Sequence, residues 1–192
     1  MEQGSTYLAN VSSGTSIFTS RPSGKRTFRR STYILTNSYY KTSAHSRLSA
    51  EYHHIHDFRR GGNNLDKAPH MTDICEQVDH NIDGGGLRWD FFPNMRHRAS
   101  IYASAQGISR SSYFGTDGDE NAYGTTKDLI LVAGGQYTYN YKLGLPAELT
   151  AGVEYNYNSL NDYYIATERT LDQQTSTIGL FAQNEWKSDK IN

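Results

Sequence analysis

The sequence predicts an all-β chain, an antiparallel meander of long transmembrane strands forming part of an incomplete barrel. Three observations carry that prediction. The first is the segment 128–158, DLILVAGGQYTYNYKLGLPAELTAGVEYNYN. Leu129, Leu131, Ala133, Gly135, Tyr137, Tyr139 and Tyr141 fall on one parity, with Asp128, Ile130, Val132, Gly134, Gln136, Thr138 and Asn140 on the other. After a Gly/Pro turn at Gly144 the alternation resumes, with Ala147, Leu149, Ala151, Val153, Tyr155 and Tyr157 facing one way and Glu148, Thr150, Glu154, Asn156 and Asn158 the other. Period two is strand periodicity. Each run exceeds the usual strand of about 3 to 10 residues and reaches the roughly 9 to 11 residues that cross a bilayer as a tilted strand.

The second observation is composition. A hydrophobic share of 36% and a mean hydropathy of −0.72 exclude a helical membrane protein. A barrel is compatible with both, because only every second strand residue faces lipid. Fifteen tyrosines and 17 glycines against 4 prolines favour extended structure anchored at an interface. The third observation is that short turns alternate with long polar segments, as the two ends of an outer-membrane barrel do.

In chain order, residues 1–31 read as a poorly defined loop with one strand, and residues 32–192 as the partial barrel. TYILTNSYYKT gives an aromatic strand ending at a turn around Ala44, and SRLSAEYHHIHDF returns. There Leu48, Ala50 and Tyr52 face lipid, and Arg47, Ser49, Glu51 and His53 face the lumen. A long polar segment, 59–83, follows, with RRGGNN and DKAPH as loop chemistry. In the next hairpin Leu87, Trp89 and Phe91 alternate with Arg88 and Asp90, the turn falls near Asn94, and Ile101, Ala103 and Ala105 alternate with Tyr102, Ser104 and Gln106. Turning Arg88 toward lipid costs about 2–4 kcal/mol near the midplane, which assigns it to the lumen. Residues 111–126 form a second long loop and 161–174 a third, and TSTIGLFAQNEWK is the final strand. Three hairpins and an unpaired strand make an odd count, whereas single-chain bacterial barrels have an even one. Missing strands are the expected explanation. MEQGSTYLANVSSG carries no basic or apolar signal region, which fits a fragment.

Few residues offer other chemistry. Cys75 lies in MTDICEQVDH, read as a solvated loop. His54 and His56 share a strand face without a carboxylate fixed beside them by spacing, and read as a rim position. Asp117, Asp119 and Glu120 resemble the start of a calcium loop but lack its later glutamate. Lys25, Arg26, Arg29 and Arg30 read as a solvated loop or rim, and the formal net charge of −1 speaks against a nucleic-acid partner. No nucleophile constellation is present, so no enzyme, metal site or cofactor is expected.

AEYHHIHDFRRGGNNLDKAPH, DHNIDGGGLRWDFF, RASIYASAQGISRSSYFG, ELTAGVEYNYN and FAQNEWK resemble the barrel region of TonB-dependent outer-membrane receptors of the Bacteroidetes type, over about residues 46–187. QNEW at Gln183–Trp186 is the most family-like phrase. The resemblance implies a barrel of about 22 strands closed by a plug domain, importing a scarce nutrient such as a ferric siderophore, cobalamin or a glycan with energy relayed by TonB. This sequence shows neither plug nor TonB box, so the TonB complex is expected as a partner only through a plug outside it. Its other expected partners are outer-membrane lipid, the remaining barrel strands and a small-molecule ligand of unidentified type. Substrate contacts are expected from the long loops and from the lumen-facing Arg88, Gln106 and Glu154. Two alternatives stay open: a smaller outer-membrane barrel with an adhesin or structural role, and a secreted carbohydrate-binding β-sandwich. The second alternative needs a turn every 8–12 residues or so, which these runs do not offer.

Overall fold

The structure, a computed structural model, describes residues 7–20 and 26–187. Eight strands follow one another: β1 (Tyr7–Ser20), β2 (Arg26–Ser43), β3 (Ser46–Gly62), β4 (Ile74–Asn94), β5 (His97–Thr116), β6 (Tyr123–Leu143), β7 (Leu145–Tyr164) and β8 (Arg169–Trp186). They form one sheet in the order β1 to β8, with every neighbouring pair antiparallel. The sheet is open, with β1 and β8 at its edges. The meander and sequential pairing agree with the sequence reading.

At one end the turns are tight. Gly144 takes a φ of 74°, where glycine carries no steric penalty. Asn94 Oδ1 accepts from the backbone N–H of Arg96 (2.8 Å) and of His97 (3.1 Å), closing the β4–β5 turn as an Asx turn.

Burial inverts the pattern of a water-soluble sheet. On one face lie the odd residues of β4–β7 and the even residues of β3 and β8, joined by register: Trp89 pairs with Ile101, Ile101 with Gly135, Gly135 with Val153 and Val153 with Leu180. These side chains are exposed, at 55% for Ile101, 44% for Val153 and 81% for Leu180. On the opposite face Asp90, Ser100 and Thr138 are only 3%, 6% and 7% exposed. Tyrosines and a tryptophan end the apolar band near the tight turns. Tyr139 stacks on Tyr141 with centroids 5.8 Å apart, and Ala147 is paired with Tyr141 on one side and Trp186 on the other.

Four sequence expectations change. The one strand read within residues 1–31 is β1, with the start of β2 behind it, and it pairs into the sheet, so the odd strand count becomes eight among the described residues. Ser, Thr and Gly there give no polarity alternation, yet the backbone pairs continuously with β2 from Tyr7↔Tyr40 to Ser20↔Thr27. The basic cluster 25–30 is therefore largely strand rather than loop: Arg29 and Arg30 lie on opposite faces of β2, and Lys25 lies outside the described residues.

The segments 59–83, 111–126 and 161–174 are mostly strand too. β3 runs on to Gly62 and β4 starts at Ile74, β5 continues to Thr116, β6 starts at Tyr123, and β8 starts at Arg169. Past the apolar band neither face carries a continuous apolar row, so alternation disappears from the sequence while the hydrogen-bonded ladder persists. Left-handed residues mark the real turns: Asn64, Asp117, Gly118 and Glu168.

Cys75, read as solvated, is 1% exposed on β4. The 63–73 connection folds over the sheet face, where the 3-10 turn Pro69–Met71 brings His70 Nδ1 to 2.8 Å from the Tyr123 hydroxyl. Tyr113 packs edge-on against Tyr123 at 4.8 Å, and this cover buries Cys75 and Tyr113 together.

Candidate functional site

The polar face is built in rows, because residues paired across an antiparallel ladder point the same way. One row runs Ser49, Arg88, Tyr102, Gly134, Glu154 and Gly179 from β3 to β8. Another, farther from the tight turns, runs His53, Gly84, Gln106, Ile130, Asn158 and Thr175. The three residues expected to contact substrate thus share this face but not one site.

Arg88 donates from Nε to Asp90 Oδ1 at 2.8 Å and from Nη2 to Ser100 Oγ at 3.3 Å. Arg47 reaches the same carboxylate, Nη2 to Oδ2 at 2.9 Å, so Asp90 holds two half-exposed guanidiniums. Gln106 Oε1 lies 3.3 Å from His53 Nε2. Glu154 accepts from the Tyr102 hydroxyl at 2.6 Å and from Asn156 Nδ2 at 2.9 Å. Arg88 and Tyr102 line a groove of about 480 Å³ with Asn37, Arg47 and Glu51. Gln106 lines a neighbouring groove with His53 and Glu51.

Glycine and aromatic side chains alternate across this face. Tyr33 lies over Gly14, His53 over Gly84, Tyr164 over Gly124, Tyr102 over Gly134 and Phe181 over Gly152, each pair directly opposite in register. The missing side chain lets a ring lie flat along the sheet and reach the next strand, as in aromatic rescue of glycine. Tyr102 uses this path to reach Glu154 across β6. A Cβ at Gly134 comes within 2.6 Å of the Tyr102 hydroxyl. Gly134→Val is therefore expected to cost about 1–3 kcal/mol by overpacking and to break the Tyr102–Glu154 bond. Gly107→Ala, with nothing within 4 Å of the new Cβ, is expected to be neutral. Urea unfolding in detergent, followed by tyrosine fluorescence, checks the pair.

On the other face His54 Nδ1 meets Asp83 Oδ1 at 2.8 Å, the Tyr52 hydroxyl donates to the same oxygen at 2.9 Å, and His56 Nε2 meets Asp79 Oδ1 at 2.8 Å. Their carboxylate partners come from β4, beyond the reach of local spacing. No group of three His, Cys, Asp or Glu side chains stands close enough to hold a metal among the described residues. Asp117 sits in a left-handed turn, with its backbone N–H donating to Asp73 O at 2.8 Å.

Sequence reasoning missed a third cluster. Asp57 accepts from Arg29 Nε at 3.0 Å, from Arg59 Nε at 2.6 Å and from the Ser31 hydroxyl. Its row continues through His80, Arg110, Thr126 and Asp162. The parity of HHIHDFRR places Asp57 and Arg59 on one face, but Arg29 arrives only through the β2–β3 register, in a stretch read as loop.

An open antiparallel meander with exposed apolar side chains and a shielded polar face defines a β-barrel-wall fold. No protein-family model matches the chain, and no curated protein matches it. Among solved structures, the chain is similar in fold to the copper transporter OprC, with a TM-score of 0.70 at 14% sequence identity over 95% of this chain and 32% of that chain. The chain thus spans about a third of that transporter's length.

Proposed function

We propose that this chain is part of the wall of an outer-membrane barrel in a receptor-transporter that takes up a scarce nutrient. The inverted burial carries the reading: the band of exposed Ile101, Val153, Ile178 and Leu180 faces lipid, and the face with Asp90, Ser100 and Thr138 faces a polar interior. Likeness in fold to a transporter of which this chain spans 32% supports a wall completed by further strands. The two open edges support it too, since soluble proteins cover or blunt such edges. In this reading a plug packs on the polar face, TonB acts through the plug, and Arg88, Gln106 and Glu154 line the passage or its plug contacts. Ferric siderophores, cobalamin and glycans are the cargo classes that fit such a receptor. No reaction is catalysed.

The chain alone is expected to need detergent, because its apolar face and edges stay uncovered. Sedimentation after refolding with and without a maltoside detergent tests this. A monodisperse monomer with cooperative melting in plain buffer contradicts the reading.

A further inference from the structure

We infer that Arg29 and Arg59 form a clamp for an oxyanion-bearing solute on the polar face. This inference rests on that face lining a water-filled interior. The two arginines are directly paired in the β2–β3 register, and both point to the polar face. One carboxylate, Asp57, binds both, and in each case through Nε. Asp57 is 11% exposed at its side chain, whereas Arg29 and Arg59 are 47% and 55% exposed.

A carboxylate that engages Nε fixes the direction of the guanidinium plane and leaves the terminal Nη groups to another acceptor. Such forks match the geometry of carboxylate and phosphate groups. One negative charge against two positive ones leaves the pair an uncompensated charge of +1. Arg110 stands two strands away in the row of Asp57, with His80 between them. It too has spare donors: its Nε is buried without a hydrogen-bond partner, its Nη2 lies 3.4 Å from the Tyr164 hydroxyl, and Asp162 is 3.6 Å away. Two further acids of this face have other donors, Asp128 accepting from Asn158 Nδ2 and Asp162 from the Thr126 hydroxyl. Across β2, β3 and β5 three guanidiniums, those of Arg29, Arg59 and Arg110, thus share two carboxylates, Asp57 and Asp162. A neutral glycan has no use for that excess, whereas a solute with a carboxylate, phosphate or sulfonate does.

The test uses the full chain refolded in a neutral detergent, with pyrene trisulfonate as the fluorescent anion and citrate, inorganic phosphate and maltose as competitors. Binding is expected to be displaced by citrate or phosphate and not by maltose, and which anion competes better assigns carboxylate or phosphate preference. Double substitution Arg29→Gln/Arg59→Gln is expected to weaken binding about tenfold or more, the scale of a lost charged hydrogen-bond pair. Arg59→Lys keeps an ion pair with Asp57 but removes the fork, and should give a smaller loss with the β-sheet circular dichroism unchanged. Lys127→Gln, which removes one positive charge on the apolar face, should shift binding less than twofold. Equal losses from Lys127→Gln and the arginine pair, displacement by maltose, or full binding by the double variant each overturn the clamp. The lipid-facing assignment is read separately, by nitroxides on the apolar face, so either conclusion can fail alone.

Discussion

Val153→Arg is expected to destabilise the reconstituted chain by about 2–4 kcal/mol, the depth-dependent cost of a guanidinium on the lipid face of a barrel. Val153 is 44% exposed and sits in the row Trp89, Ile101, Gly135, Val153 and Leu180, between the Tyr137–Tyr139–Tyr141 girdle and Tyr155. In a water-soluble sheet the same change on an exposed residue would move stability by about 0.5 kcal/mol or less. Thr177→Arg, on the polar face of β8, provides the contrast and is expected to cost little. Reversible urea unfolding in phospholipid vesicles measures both, and equal small effects would remove the case for a lipid-facing row.

Asp90→Ala carries the second large effect. Its carboxylate is 4% exposed at the side chain and binds Arg47 and Arg88 at 2.9 and 2.8 Å. Removing it leaves two guanidiniums beside one another without a carboxylate, Arg88 keeping only its bond to Ser100 Oγ. Loss of one partner of a fully buried pair costs about 3–5 kcal/mol. Both arginines are half-exposed, so water compensates part of that, and about 1–3 kcal/mol is expected. Arg88→Gln should cost less, because Arg47 still neutralises Asp90. The same urea titration ranks the two, and the opposite order would show that Asp90 is not the hub of this network.

Strand periodicity made β6 and β7 legible from residues alone, since Gln136 to Tyr141 and Ala147 to Tyr157 alternate and the apolar run Leu129–Ala133 precedes them in register. The turns at Ala44, Asn94 and Gly144 were legible for the same reason: alternation stops there and turn chemistry takes over. Register was not legible. It decides that Asp83 meets His54, that Tyr102 crosses Gly134 to Glu154 and that Arg29 meets Asp57, and each partner comes from another strand. β1 and the outer parts of β3–β8 were hidden because strands without a continuous apolar row show no apolar parity. The burial of Cys75 was hidden because its cover comes from a connection whose Gly, Asn and Pro residues announce a loop but not where it folds. Arg88, Gln106 and Glu154 were assigned to one face by parity, yet parity carries no information on distance across that face: Arg88 and Glu154 share a row with Tyr102 between them, and Gln106 bonds His53 in another.

The most direct measurement of the central assignment is nitroxide accessibility in phospholipid vesicles. Single cysteines are placed at Ile101 and Val153 on one face and at Ser104 and Thr177 on the other, while Cys75, 1% exposed, stays unlabelled. Labels at 101 and 153 are expected to collide with oxygen and to be shielded from a water-soluble nickel chelate, with the reverse at 104 and 177. Nickel access at 101 and 153 equal to that at 104 and 177 would contradict it.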